Sequence, residues 1–322
     1  MNEIASAKAD ELIATKLAQC ISDDEAFDVG EEMVKLALTS MSKISHDYDI
    51  TREEVDYFIQ ERDIAKNEFI GNRGLLPIRD IFGFIIPARR RANEARDNLE
   101  IFAKKSWILG AQESPTRGIL IESLVESDTE RAADLIMNYL GSIHTVRFSL
   151  AAAFEELAQN SHEQTKLVKS GKALGRNQDV SKSAALRMIV KETSRLFPVA
   201  TKEGIERVIE KDFTSDDGCL IPAKSLISIP FFLAMSDPRT FENPNSWNLS
   251  RWVYATEEMN LVFQPFGAGA NSCLGVAVAN AAINNVIARI CSQHKLELVE
   301  EGTVEFNVSV KLIKTMIKVT KL

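Results

Sequence analysis

The chain has 322 residues, 45% of them hydrophobic, enough to bury a substantial core as one large domain or two. Its 38 basic and 46 acidic side chains leave a net charge of -8, which argues against nucleic acid as the main partner. Four cysteines, Cys20, Cys219, Cys273 and Cys291, lack the CxxC spacing of a zinc site and the density of a disulfide scaffold, and fit a reducing compartment.

The first residues are charged rather than apolar, and no stretch reaches the roughly 18 uninterrupted apolar residues of a membrane span, so a cytoplasmic location is expected. Apolar residues recur at helical spacing over 5–19 and 29–44, with Ser22 or Asp28 near the second start. Thr51-Arg-Glu-Glu54 has the form of a capping box opening a third helix. The stretch 71–77 breaks the pattern, and Ile85-Ile-Pro-Ala-Arg-Arg-Arg91 opens a long charged helix to about Leu109. Its basic residues Arg89, Arg90, Arg91 and Arg96 are followed by Glu94, Asp97 and Glu100, the pattern of a solvated helical face rather than an anion site. A polar linker over 112–117 leads to helices at 119–127 and 130–157, the second Ala- and Leu-rich and expected in the core. A helix over 182–196 ends at Phe197-Pro198, because the residue before proline leaves the helical region. Strand-like pieces follow at 205–209, 219–221 and 226–229, and 299–319 alternates as a terminal hairpin. No internal repeat is present.

The stretch Phe263-Gln-Pro-Phe-Gly-Ala-Gly-Ala-Asn-Ser-Cys273-Leu-Gly-Val presents one cysteine from a Gly-rich loop leading into an apolar helix over 276–290. The amides and dipole at that helix start favour a thiolate. A cysteine so placed is either an exposed ligand or a buried, inert residue. Upstream, Glu192-Thr-Ser-Arg195 sets a carboxylate and a guanidinium three apart on one helical face, and Asp237-Pro-Arg-Thr-Phe241 through Arg251-Trp252 forms a Pro- and Asn-rich irregular segment.

Phe266, Gly267, Gly269, Cys273, Leu274 and Gly275 resemble the haem-binding loop of the cytochrome P-450 family, and the ExxR motif, the meander segment and this loop occur in the family's order. The resemblance implies a mainly α fold with small β elements, as a single haem domain over 1–322, helical through 198 and carrying the meander, cysteine loop and β elements from 199. It implies heme b (iron protoporphyrin IX) with Cys273 as the metal ligand, and Phe266, Gly267, Gly269 and Gly275 shaping the cofactor loop. It makes Glu192, Arg195 and Arg251 a buried structural triad. Asn271 stands where the family usually has a basic residue for a haem propionate, and Arg207 resembles another propionate position. Gly141-Ser-Ile-His-Thr145 resembles the distal oxygen-pocket motif. There Thr145 becomes a proton-relay residue, and His144 replaces the usual acid and carries a proton near neutral pH without a fixed negative charge.

The implied activity is a monooxygenase that inserts oxygen into a small apolar organic substrate, with electrons from a separate ferredoxin or reductase. The altered acid leaves open an isomerase, dehydratase or peroxygenase that needs no reductive oxygen activation, and a haem-poor scaffold acting through protein contacts is the non-enzymatic alternative. The resemblance begins near residue 5, and the family's first sheet strands and early helices have no counterpart. An N-terminally truncated fold is therefore expected, with self-association or a pocket-closing partner.

Overall fold

The structure is a computed structural model that describes residues 1–69, 71, 76–113, 127–174, 183–199, 205–306 and 310–322. It is mostly helical with small antiparallel sheets. Two compact units divide the chain, one over Val34–Ile143 with Met1, the other over Asn2–Met33 and His144–Leu322.

The first unit draws on α3 (Val29–His46), α4 (Arg52–Phe69), α5 (Leu76–Ile81), α6 (Pro87–Glu113) and the first half of α7 (Asp128–Gln159). The capping box opens α4: the Glu54 N–H donates to Thr51 Oγ1 at 3.2 Å, and the Thr51 N–H to Glu54 Oε2 at 3.1 Å. Two of the helix's orphan amides are thereby satisfied. Pro87 opens α6, where a missing N–H costs nothing. Against its reading as a solvated face, the start of α6 is tied inward. Arg89 is buried and pairs with Asp80, while Arg91 and Asn98 donate to buried Glu61 on α4. Arg90 and Arg96 are exposed.

The core of this unit packs Phe58, Phe102 and Tyr139 around Leu38, Val55 and Leu99. Tyr139 and His46 bring polar atoms into it. The Tyr139 hydroxyl lies 3.0 Å from His46 Nε2 and 3.3 Å from Ser42 Oγ, and Ser45 Oγ is 2.7 Å from His46 Nδ1. Burial pushes His46 down to about 4 and Tyr139 up to about 12, so both stay neutral at physiological pH.

The second unit begins with α1 (Asn2–Leu12), a π-helical turn (Ile13–Leu17) and α2 (Ala18–Asp23). Helix α1 packs on α12 (Val276–Cys291), where buried Asn285 accepts from Ser6 Oγ at 2.8 Å and donates to Asn2 Oδ1 at 3.2 Å. Strand β1 (Phe27–Asp28) leads to α3, and Asp28 Oδ1 accepts from the Glu31 N–H at 3.1 Å, capping that helix. A three-stranded sheet runs in the order β1, β9 (Met316–Lys321), β6 (His294–Glu300), with Phe27 opposite Ile317 and Leu296 opposite Val319. Strands β7 (Thr303–Phe306) and β8 (Val310–Ile313) form a hairpin between β6 and β9. The expected single terminal hairpin is thus two nested pairs. β2 (Ile205–Val208) pairs with β5 (Leu226–Ile229), and β3 (Phe213–Thr214) with β4 (Leu220–Ile221).

Helix α8 (Ser161–Leu174), with no counterpart in the expected elements, docks through Gln164. Its buried amide accepts from the Leu296 N–H at 2.9 Å and donates to the Leu296 carbonyl at 2.9 Å, so one side chain pairs with β6 as a neighbouring strand would. The expected polar linker is helical at Gln112 and Glu113, which end α6. The rest of that linker, residues 119–126 of the helix expected at 119–127, and positions 72–75 of the break lie outside the described residues. Pro77 lies in α5 rather than in a break.

Candidate functional site

The clamp begins on α9 (Ala184–Leu196), whose first turn is capped by Ser183 Oγ accepting from the Leu186 N–H. Glu192 and Arg195 lie one turn apart on its inner face, both fully buried. Arg195 approaches as a fork, with Nε 3.0 Å from Glu192 Oε2 and Nη2 2.9 Å from Oε1. Arg251 comes from the 3-10 turn Leu249–Trp252 and donates Nε to Glu192 Oε1 at 2.9 Å. The Asn248 N–H and the Trp252 indole complete the shell at 3.0 and 2.8 Å. Five donors therefore converge on one carboxylate that no water reaches, the arrangement in which two buried guanidinium groups and one carboxylate are each satisfied. The outer arms of the guanidinium groups tie down irregular backbone. Arg195 Nη1 donates to the Met235 carbonyl at the end of the short helix α10 (Phe231–Met235), at 3.0 Å, and Arg251 Nη1 to that of Glu242 at 2.9 Å. The role of Trp252 was not assigned from sequence, although its place directly after Arg251 was the available signal.

Beyond the clamp, Phe241, Trp252 and Met259 form a small core against which Phe263 packs. Phe263 terminates α11 (Glu257–Val262) and begins the cysteine loop. Within the loop, the Gly267 N–H donates to the Gln264 carbonyl at 3.1 Å and the Cys273 N–H to that of Phe266 at 2.9 Å. Gly267 and Gly269 adopt φ of 71° and 73°, where a side chain would be strained. Gly275 does not share that constraint, since its φ is -84°. The backbone of Asn271 lies in the 3-10 turn Gly269–Asn271, and its side chain lies outside the described set.

Cys273 is exposed just before α12, which excludes the reading of it as a buried, inert cysteine. That description fits Cys20 and Cys291 instead, burial pushing the Cys291 thiol up to about 12. Cys219 is also exposed, but it sits in the β3–β4 turn just before β4, where its N–H donates to Ser215 Oγ. Among the described residues, no group of three His, Cys, Asp or Glu is placed to hold a metal ion.

The residues present fit a haem on two observations. Cys273 offers an accessible cysteine sulfur, the donor atom that ligates haem iron in haem-thiolate proteins. The ground beside it is clear: nothing lies within 4 Å of a Cβ built on Gly269, and a Cβ on Gly275 would stand 3.7 Å from Cys273 Sγ, in the space beside the sulfur.

Of the other expected residues, Arg207 is half-buried on β2, opposite Ile227, with Nη1 2.7 Å from its neighbour's carbonyl. His144 is half-buried and Thr145 exposed, in the middle of α7.

The sequence matches the Cytochrome P450 family over residues 3–319. The chain belongs to the cytochrome P450 family. It is similar to cytochrome P450 monooxygenase FGM1 of Gibberella zeae, at 31% identity over 178 residues that cover 52% of this chain and 35% of that protein. It is also similar to the mitochondrial sterol 26-hydroxylase of Rattus norvegicus, at 28% identity over 49% of this chain and 32% of that protein. The aligned part thus spans about a third of these relatives' length. A crystal structure of a cytochrome P450, CYP102L1, superposes with a TM-score of 0.82 at 18% identity, covering 99% of this chain and 73% of that one, which shows the P450 fold. Among the described residues of this P450, no helix is long and apolar enough to cross a membrane.

Proposed function

We propose that this P450 chain is a haem-thiolate monooxygenase acting on a small apolar organic molecule, with Cys273 as the residue whose sulfur would ligate the iron of heme b. The observation that carries the reading is the exposed Cys273 on a loop rooted, through Phe263 and Trp252, in the buried Glu192 clamp. Haem, when bound, supplies reductive activation of dioxygen and insertion of oxygen into the substrate. The chain's own residues do the rest. Cys273 holds the thiolate at the helix start, and Phe266, Gly267, Gly269 and Gly275 shape the loop around it. The clamp keeps the polypeptide beneath from rearranging. Arg207 and Asn271 provide hydrogen-bond donors for the cofactor's carboxylates, Arg207 with charge and Asn271 without. On α7, the hydroxyl of Thr145, an exposed residue, would donate a proton during oxygen activation, and half-buried His144 would be the neighbouring proton carrier.

Electrons come from a separate ferredoxin or reductase, and the protein works in the cytoplasm as a single haem domain. A second copy or a pocket-closing polypeptide belongs to the same proposal, supported by exposed Val208 and Leu226 facing each other across the β2–β5 pair. A haem-loaded protein that is strictly monomeric by light scattering and whose structure shows a closed haem site would remove that part.

The test is the absorption spectrum of purified protein supplied with haem, oxidised and then reduced under carbon monoxide. A red-shifted thiolate-type Soret band, absent in Cys273→Ala, is expected; failure of the wild-type protein to take up haem would refute the reading. His144 in place of an acid favours one alternative, a haem-thiolate isomerase, dehydratase or peroxygenase. Turnover independent of any electron donor would select it.

A further inference from the structure

Lys191 precedes Glu192 on α9 and takes no part in the clamp. Its ammonium nitrogen lies 4.8 Å from the ring centroid of Trp252 and 5.7 Å from that of Phe263, and the two rings meet edge to face with centroids 4.8 Å apart. A cation within about 6 Å of an aromatic face is attracted by the ring quadrupole. The two rings have different attachments. Trp252 is fixed to the clamp, its indole donating to Glu192. Phe263 ends α11, its N–H bonded to the Met259 carbonyl, and starts the loop that carries Cys273. One cation therefore bridges the rigid base and the stem of the ligand loop.

We propose that Lys191 is a positioning residue for Cys273, seating the Phe263 stem against Trp252 and so holding the loop that presents the thiolate. Its consequence at iron rests on the haem-thiolate reading; its geometry does not. The stem of lysine alone covers apolar surface, so the discriminating substitution is Lys191→Met, which keeps the stem and removes the charge. Lys191→Arg keeps a cation that stacks on aromatic rings.

Hydrogen exchange on the purified protein without added haem reads the loop directly, because the Gly267 and Cys273 amides are bonded inside it. Lys191→Met is expected to raise the exchange of peptides spanning 263–275 about fivefold, the ratio carried by one partly exposed contact of this class. Amides of α9 and α12 should keep their rates, and Lys191→Arg should restore the loop. The proposal is overturned if the loop exchanges at the wild-type rate in Lys191→Met, or if α9 and α12 accelerate in step, which is the mark of general destabilisation. With haem added, Lys191→Met should show a smaller thiolate-type fraction under carbon monoxide than wild type or Lys191→Arg at equal haem content. A wild-type protein without any thiolate-type band would sink the functional reading, and the exchange rates would still decide the role of Lys191.

Discussion

Replacing Glu192 by Gln is the sharpest perturbation of the proximal side, because it removes one charge and almost no volume. The wild-type carboxylate accepts from five donors through two oxygens. A glutamine amide offers one accepting oxygen and turns an NH2 toward the remaining donors, so at least two of the five lose their acceptor. More costly, the Arg195 and Arg251 side chains, 0% and 6% exposed, keep their charges with no counter-ion. Breaking a buried pair in this way costs about 3–5 kcal/mol. Against a total stability of about 5–15 kcal/mol for a folded protein, that is a large share. Urea denaturation followed by circular dichroism is expected to show the loss as a lower midpoint at an unchanged slope. Arg251→Lys should fall between wild type and Glu192→Gln, at about 1.5–3 kcal/mol, since lysine keeps a cation but cannot reach Glu192 and the Glu242 carbonyl together. The surface pair of exposed Arg239 with half-buried Asp237 is the control, and Arg239→Lys should leave the midpoint where it was. A Glu192→Gln protein within about 0.5 kcal/mol of wild type would refute the reasoning, since the clamp would then be held by packing rather than charge.

Acid should destabilise the first unit through His46. Its folded value of about 4 lies below the ordinary 6.5, so the unfolded chain takes up a proton that the folded chain refuses. Stability is intact above pH 6.5 and falls by about 3 kcal/mol as pH drops toward 4; His46→Gln should flatten that part of a pH series of urea midpoints. Glu156, half-buried near Glu155, Glu192 and Glu301, runs the other way: burial first, then these carboxylates, raise it to about 7. Its favourable contribution is complete below its ordinary value of 4.5 and is lost as pH rises through 7, so Glu156→Gln should stabilise more at pH 8 than at pH 5.5 in thermal melts. At the loop, Gly269→Ala strains a positive φ with no side-chain clash and should cost about 1 kcal/mol before any haem is added. Gly275→Ala should leave that stability unchanged and lower haem uptake in a spectral titration, and equal uptake would show that the space beside Cys273 Sγ is not used.

What was legible in the sequence is what chemistry within a few residues decides. The Thr51–Glu54 box, Pro87 at the start of α6 and Pro198 beyond the end of α9 act through bonds or clashes three or four positions away, and the structure has each in place. The P450 fold was legible through the family resemblance of three motifs in order, the ExxR helix, the meander and the cysteine loop, and in that loop two glycines with φ near 70° and one exposed cysteine account for the residue types. Helix α8 was not legible because, over its described side chains, Gln164 and Leu167 carry the burial, and a glutamine at the docking position erases the apolar period that marks a helix. Strand β1 is two residues long and owes its existence to β9, nearly the whole chain away, so no local signal could specify it. Arg89 and Arg91 misled for a related reason. Alternating charges look the same on a solvated face as on one whose partners, Asp80 and Glu61, sit on other parts of the chain. The clamp lies between these cases. Three residue spacings suggested Glu192, Arg195 and Arg251, but the fourth and fifth donors, a backbone amide and an indole, become visible only when the irregular segment folds over the carboxylate. The indole is also what connects the clamp to Phe263, and through it to the loop that presents Cys273.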